Sequence, residues 1–208
     1  MAVTRELESL QNAPVGAHLP LPAPRLKGAF SVEEALQRRR SLRKFAPEPL
    51  TLEEISQLLW SAQGTTGQGG RRTAPSAGAC YPLEVYLVCA EGLFRYLPGE
   101  HALEKTMAED VRTPLTAKGH TNVPLPAAPI ALVFAAVYER TTQRYGERGI
   151  RYAHIDLGHA AQNAQLQAEA LGLASVALGA FDDDVITQVL HLPADQKPIY
   201  VIPFGRKV

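Results

Sequence analysis

The sequence predicts an α+β domain in which helices flank a sheet of about four or five strands. Two apolar runs, 85–90 and 130–138, have the composition of strands that lie inside a sheet. A long segment rich in small residues, 152–171, has the length of a helix and is followed by Gly172, a typical residue at a helix C-terminus. Because 46% of the 208 residues are hydrophobic, the chain can bury the core of one such domain.

We expect residues 1–30 to form an extended N-terminal arm and residues 31–208 to form a single domain. Segment 19–24 alternates apolar residues with proline, a pattern typical of extended backbone that lies on another surface. The domain begins with a helix, because Ser31 and Glu34 have the spacing of a capping box.

The next elements follow from similar local signals. Thr51 and Glu54 form a second capping box, which starts an amphipathic helix over 52–62. Segment 64–70 is a glycine-rich loop. After the first buried strand, a short turn predicts another strand over 94–96.

The second half of the chain begins with residues that we expect to be irregular. Segment 98–129 contains five prolines, with a helical stretch predicted only around 102–109. Beyond the long helix, the sequence predicts a strand over 174–178, a short helix over 182–190 and a final strand over 199–204.

Composition excludes several classes of protein. Lys plus Arg and Asp plus Glu both total 21, and this neutral balance argues against a nucleic-acid binder. Two cysteines, Cys80 and Cys89, are too few for a disulfide framework, so we interpret them as reduced thiols of a cytoplasmic protein. We expect no secretory signal and no membrane-spanning segment, because no apolar run has the required length.

The first candidate binding site is a cluster of arginines after the first helix. Arg39, Ser41 and Arg43 place donors that match phosphate oxygens within a few residues. Phosphate-binding glycine loops of the dinucleotide or P-loop type are absent from the sequence, so side chains would hold the phosphate. Arg206, near the other terminus, is a second candidate. The alternative is a solvated helix end, where cations favour the helix dipole.

Two further segments are rich in small residues. Segment 74–82 lies between two prolines before a buried strand, and its small side chains let the backbone approach a flat ligand. Gly179 and Ala180 follow a predicted strand, where open N–H groups could bind a ring nitrogen. An ordinary loop and an ordinary strand-to-helix turn are the alternatives.

Segment 143–152 carries charged and aromatic residues ahead of two histidines. Tyr145 is a candidate proton carrier, whereas its charged neighbours could simply form an ion-pair network. His154 and His159 are five residues apart and fall poorly on one helix face. Because no HExxH or paired CxxC motif occurs either, the sequence predicts no metal site.

Together, these motifs resemble those of the nitroreductase flavoprotein superfamily, and most closely its SagB-type dehydrogenases. The likeness covers about residues 31–206. The segments that carry it are 39–45, 49–52, 58–60, 75–78, 81–84, 145–149, 151–152, 158–159, 162–163, 170–173 and 179–182.

The resemblance implies a mostly antiparallel sheet and an intertwined homodimer with FMN at the subunit interface. The small-residue helix could then pack against its twin, and the arm could wrap the partner. The likeness further implies that the FMN phosphate, ribityl chain and pyrimidine edge are held by Arg39, Arg40, Ser41 and Arg43, and that Arg206 approaches the phosphate. It implies contacts to the flavin from the partner chain by Pro75, Ser76, Ala77 and Gly78, and contacts near flavin N5 by Gly179 and Ala180.

The implied activity is ping-pong hydride transfer from NADH or NADPH, through FMN, to a small nitroaromatic, quinone or similar acceptor. Tyr145 and Arg144 are the catalytic candidates, and Tyr81 is expected to face the acceptor with them. One alternative is oxidation of peptide azolines to azoles, as in SagB-type enzymes that have lysine before the tyrosine. Arg144 stands there in this chain and is a poor base. A flavin-binding protein without turnover is the other alternative.

Overall fold

The computed structural model describes residues 2–118 and 125–208, and seven α-helices and seven strands lie within them. The helices are α1 (Ala2–Asn12), α2 (Val32–Arg38), α3 (Leu52–Gln63), α4 (Arg112–Lys118), α5 (Glu139–Tyr145), α6 (Arg148–Ala170) and α7 (Asp183–Val189). The strands are β1 (His18–Pro20), β2 (Leu83–Cys89), β3 (Gly92–Leu97), β4 (Ala102–Met107), β5 (Ile130–Ala136), β6 (Leu173–Ser175) and β7 (Lys197–Arg206).

The strands form one sheet in the order β1-β4-β3-β2-β5-β7-β6, and every neighbouring pair is antiparallel. The expected antiparallel sheet is therefore confirmed, but the predicted number of four or five strands was wrong. The helical stretch expected around 102–109 was wrong as well, because that segment contains β4. Its Leu, Glu, Lys and Met residues favour helices, yet pairing with β3 overrides this propensity.

The N-terminal 30 residues differ from a simple extended arm in two ways. Residues 2–12 form a helix, and β1 adds a strand to one edge of the sheet by pairing with β4. Leu10 and Leu21 are buried in the main core, so this segment packs on its own chain. The irregular segment expected over 98–129 contains α4 as well as β4, and Pro124 lies outside the described residues.

The core lies on both faces of the sheet, which explains why all seven residues of β5 are buried. On one face, α3 and α6 cover the sheet with side chains such as Leu58, Leu59 and Ala164. On the other face, α7 contributes Ile186 to a second cluster. Among the described residues, no helix has the length and apolar character needed to cross a membrane.

Helix α6 turns its alanines inward. Ala153, Ala160 and Ala164 are fully buried, and α6 packs against α3 of the same chain. The side chains that α6 leaves exposed include Ile150 and Ile155. The small-residue face expected to meet a twin helix is therefore occupied within the chain, because alanines permit the close approach of α3.

Candidate functional site

The arginine cluster follows α2 and runs beside the edge strand β6. Leu42 donates its N–H to the Ser175 carbonyl at 2.9 Å, and Ser41 forms a single parallel bridge with Ser175. A few residues later, Ala46 donates its N–H to the Arg206 carbonyl at 3.1 Å. These backbone bonds attach the cluster to the edge of the sheet formed by β6 and β7.

The side chains of the cluster differ in what they bind. Arg40 folds back and donates to the carbonyls of Gln37 and Arg39, at 2.9 and 2.8 Å. This is the helix-end interaction expected from the alternative interpretation of the cluster. Arg39 and Arg43 have no side-chain hydrogen bond or ion pair within residues 2–118 and 125–208. Their guanidinium groups, with the exposed Ser41, are free to bind an anion.

Arg206 is engaged elsewhere. Its two terminal nitrogens donate to the two carboxylate oxygens of Glu54 at 2.6 and 2.7 Å, and one also donates to the Pro49 carbonyl. Glu54 in turn accepts the Thr51 N–H of the confirmed capping box at the start of α3. The bidentate pair joins the last strand to α3, so the fork predicted to hold a phosphate is satisfied within the chain.

The loop before β2 has an unusual backbone. Gly78 has a φ of 60°, and Ala79 and Tyr81 have positive φ values of 54° and 46°. The left-handed region is easy for glycine but unfavourable for residues with a Cβ. Two such residues within one short segment indicate a conformation that surrounding contacts must stabilise.

A buried carboxylate on α6 supplies part of that stabilisation. Asp156, only 4% exposed, accepts the Ser76 hydroxyl at 2.6 Å and the Ala77 N–H at 3.4 Å. The Ser76 oxygen also accepts the N–H of Tyr81 at 2.9 Å. Burial raises the pKa of Asp156, and the hydrogen bonds from Ser76 and Ala77 partly oppose that shift.

The predicted catalytic residues, at the end of α5, pack against the same loop. Arg144 donates to the Gly78 carbonyl at 3.2 Å, and a Cβ at Gly78 would lie only 2.5 Å from the Tyr145 hydroxyl. The Tyr145 ring also contacts the edge of Tyr152, with centroids 5.1 Å apart. The end of α5 therefore packs directly on the glycine, and a side chain at this position would displace it.

Gly179 and Ala180 are exposed and follow a short continuation of the sheet. Leu178 exchanges two hydrogen bonds with Val201, at 2.8 and 3.0 Å, although β6 itself ends at Ser175. Among the described residues, no acceptor is bound by the N–H groups of Gly179 and Ala180. These two donors remain open within the described chain, and their contact with flavin N5 stays a prediction.

The predicted residues thus fall into two groups. We call residues 75–78 with Arg144 and Tyr145 the loop group. We call the arginine cluster, which pairs with β6, and Gly179 and Ala180, which follow β6 in the chain, the edge group. No hydrogen bond, ion pair or ring contact joins the two groups within the described parts of the chain. Three clefts, of about 460, 800 and 320 Å³, contain no predicted cofactor residue in their linings.

Sequence reasoning missed two features of the loop. Asp156 stands between the two histidines in the sequence but was given no role, although a charged residue among the buried alanines of α6 is a detectable signal. Arg72 was also missed. Its guanidinium lies 4.6 Å from the centre of the Tyr81 ring, and the backbone N–H of Arg72 donates to the Tyr81 hydroxyl. Nothing in the pattern around Arg72 predicts this stacking.

Comparison with known proteins agrees with the likeness seen in the motifs. Residues 36–206 match the protein-family model that is described as "Nitroreductase family". A nitroreductase-like protein of Methanocaldococcus jannaschii is 42% identical over 185 residues, which cover 86% of this chain and 92% of that protein. The microcin B17-processing protein McbC of Escherichia coli is 29% identical over 171 residues, covering 75% of this chain and 62% of McbC.

The fold comparison agrees as well. The crystal structure of a nitroreductase-like protein of Ralstonia eutropha superposes with a TM-score of 0.82 and 30% identity. The match covers 94% of this chain and 95% of that one. The fold class expected from the resemblance is confirmed, with seven strands in its sheet.

Proposed function

The chain belongs to the nitroreductase family, and on that basis we propose that it is an FMN-dependent oxidoreductase that works as a homodimer. NADH or NADPH would be the electron donor, and a small nitroaromatic, quinone or similar compound the acceptor. The coarse activity, oxidoreduction, is supported by the family match over residues 36–206.

One observation carries the proposal, the division of the predicted cofactor residues into two separate groups. Contacts from α5 and α6 hold the loop group, and backbone bonds attach the arginine cluster to β6 and β7. No hydrogen bond, ion pair or ring contact joins the two groups within the described residues, and none of the three clefts encloses either group. We infer that a second protomer brings its loop group to the edge group of the first. The site would then be completed between subunits, which gives the flat cofactor two walls.

The edge group has the donors that FMN requires. Arg39 and Arg43 would hold the phosphate, because their guanidinium groups have no acceptor within the described chain. Ser41 adds a hydroxyl donor. The open N–H groups of Gly179 and Ala180 would donate to the edge of the ring system. The chemistry that bound FMN would supply is hydride transfer, from the nicotinamide to the flavin and then from the flavin to the acceptor.

Residues 75–78 of the loop group would contact the flavin, and Arg144 and Tyr145 would serve the second substrate. Tyr145 presents a hydroxyl beside Gly78, where it could deliver a proton to the reduced acceptor. Arg144, held by the Gly78 carbonyl, keeps a fixed positive charge beside the place where negative charge would develop on the acceptor. Tyr81, stacked under Arg72, would line the same approach.

The test begins with the colour and mass of the purified protein. We expect one FMN per protomer after reconstitution, a dimer in sedimentation, bleaching of the flavin band by NADH or NADPH, and its recovery with a nitroaromatic or a quinone. A monomer that takes up no FMN would refute the proposal. A dimer whose bound flavin stays oxidised with either nicotinamide would instead indicate a flavin-binding protein without turnover.

A second candidate, azoline oxidation on a peptide, is favoured by the similarity to McbC over 75% of the chain. The position before Tyr145 opposes it, because Arg144 donates to the loop and is a poor base. An azoline-containing peptide that loses two hydrogens per ring, measured by mass spectrometry, would support this candidate. Activity that appears only in Arg144→Lys would show that the arginine excludes this reaction in the native chain.

A further inference from the structure

The segment 76–81, which overlaps the loop group, contains more strain than a simple connection requires. Within six residues, 76–81, three have positive φ, and two of these carry a Cβ. Each such non-glycine residue persists only where surrounding contacts outweigh its intrinsic preference. The strain therefore requires anchors, and their identity shows which residues determine the loop's shape.

The anchors come from three elements. Arg144 of α5 binds the Gly78 carbonyl, and Arg140 of the same helix donates to the Tyr81 carbonyl at 3.1 Å. Arg72 covers the Tyr81 ring from the preceding loop. Asp156 reaches the loop from α6, and it lies beneath the segment rather than at its rim, because it is almost completely buried.

Asp156 also acts on both ends of the segment at once. It binds Ser76 and Ala77 directly, and it orients the Ser76 hydroxyl so that its oxygen accepts the N–H of Tyr81. A hydroxyl that donates to a carboxylate is left with lone pairs to accept. The Asp156 carboxylate and the Ser76 hydroxyl therefore form one hydrogen-bonded unit that joins the start of the strained turn, at residues 76–77, to its end at Tyr81.

We propose that Asp156 is the positioning residue of the cofactor loop, and that through Ser76 it keeps residues 75–78 in the conformation that meets the flavin. This inference rests on the proposed function, since it assigns a role to the same site. Without the anchor, the loop would relax toward unstrained conformations, and the binding-competent fraction would fall. Apparent FMN affinity falls in proportion to that fraction.

The experiment compares Asp156→Asn, Ser76→Ala and the double variant with a matched control, Glu169→Gln. Glu169 is a second buried carboxylate of the same helix, 8% exposed and paired with Lys207, and it lies 13 residues further along the helix. That separation is roughly 20 Å along the helix axis. Two readouts are taken, FMN affinity by fluorescence titration and hydrogen exchange of amides 76–81 in the flavin-free protein.

We expect Asp156→Asn and Ser76→Ala each to weaken FMN binding roughly ten- to hundredfold, which is the range for relief of one to two strained residues. Exchange at Ala77 and Tyr81, whose N–H groups bind the anchor, should accelerate, and the double variant should resemble either single one. Glu169→Gln should leave FMN binding and loop exchange unchanged. The positioning role would be supported if Asp156→Asn and Ser76→Ala both lose FMN affinity and both show faster loop exchange, while Glu169→Gln shows neither change.

Two results would overturn the inference. Wild-type exchange and FMN affinity in both anchor variants would show that Asp156 does not order the loop. Faster exchange with unchanged FMN affinity would show that the loop's shape is irrelevant to the flavin. Failure of the unmodified protein to bind FMN would be distinguishable from both, because it refutes the proposed function itself.

Discussion

Replacement of Gly78 by alanine tests whether α5 closes on the loop. Two effects should add. A residue with a Cβ at a φ of 60° is strained by about 1–2 kcal/mol relative to glycine. The new methyl would also lie 2.5 Å from the Tyr145 hydroxyl and 2.9 Å from a terminal nitrogen of Arg144. Both atoms lie at the ends of side chains that can move, so the steric cost should be only about 1 kcal/mol, the lower end of the range for overpacking. We therefore expect the free energy of unfolding to fall by about 2–3 kcal/mol.

The chain provides a matched control for the backbone effect. Gly69 has a similar conformation, with φ of 79° and ψ of 19° against 60° and 18° at Gly78. A Cβ added to Gly69 would meet no atom within 4 Å among the described residues beyond its chain neighbours. Gly69→Ala should therefore show only the strain, about 1–2 kcal/mol. Urea unfolding, followed by circular dichroism, gives both values, and the difference between the two variants isolates the steric contact with α5.

A second substitution locates the clash. Tyr145→Phe removes the nearer of the two atoms that the methyl would meet, so Gly78→Ala should be less destabilising in that background. Equal losses for Gly78→Ala and Gly69→Ala, or no relief from Tyr145→Phe, would refute the reasoning. Either result would mean that the end of α5 does not pack on Gly78 in solution.

Three other predictions address charged groups. Arg43→Ala should weaken FMN binding by about 1.5–3 kcal/mol in titration, through loss of a charge-assisted phosphate contact, with an unchanged unfolding midpoint because Arg43 has no partner in the described chain. Lys105→Met should loosen α1, seen as faster proteolysis near the N-terminus, because the buried ammonium donates to the carbonyls of Leu10 and Gln11. Asp156 has a raised pKa in the folded chain, so the folded state binds more protons and the free energy of unfolding should fall as pH rises through that pKa. Urea unfolding across acidic to neutral pH should show this component in the wild type but not in Asp156→Asn.

Each of these has a control in the same chain. Arg71→Ala removes another exposed arginine, and it should leave FMN affinity unchanged. Lys197→Met removes an exposed lysine, and α1 should then stay protected. The phosphate contact of Arg43 would be contradicted if the Arg43 and Arg71 variants lost the same FMN affinity. The role of Lys105 would be contradicted if both lysine variants were cleaved equally fast. The argument on Asp156 would be contradicted if the stability of Asp156→Asn still fell with pH as in the wild type.

Local patterns predicted the elements whose stabilising contacts are local. The capping boxes at Ser31 and Thr51 are present, since their hydrogen bonds span three residues. The apolar run of β5 is a central strand because only a sheet covered on both faces can bury it. The segment of β4 was mistaken for a helix, since its composition favours helices and its strand partner is decided by the hairpin with β3.

The candidate site divides in the same way. The sequence by itself determined the family, the residue types that suit a phosphate and a flat ring, and the segments that carry them. Only the tertiary structure decided that Arg206 binds Glu54, 152 residues away, and that Ser76 binds Asp156, 80 residues away. Such pairs depend on which surfaces come into contact when the sheet and helices pack. The spacing of residues along the chain does not show which surfaces these are. The division of the site into two groups arises for the same reason, because it depends on the distances between elements and not on their order.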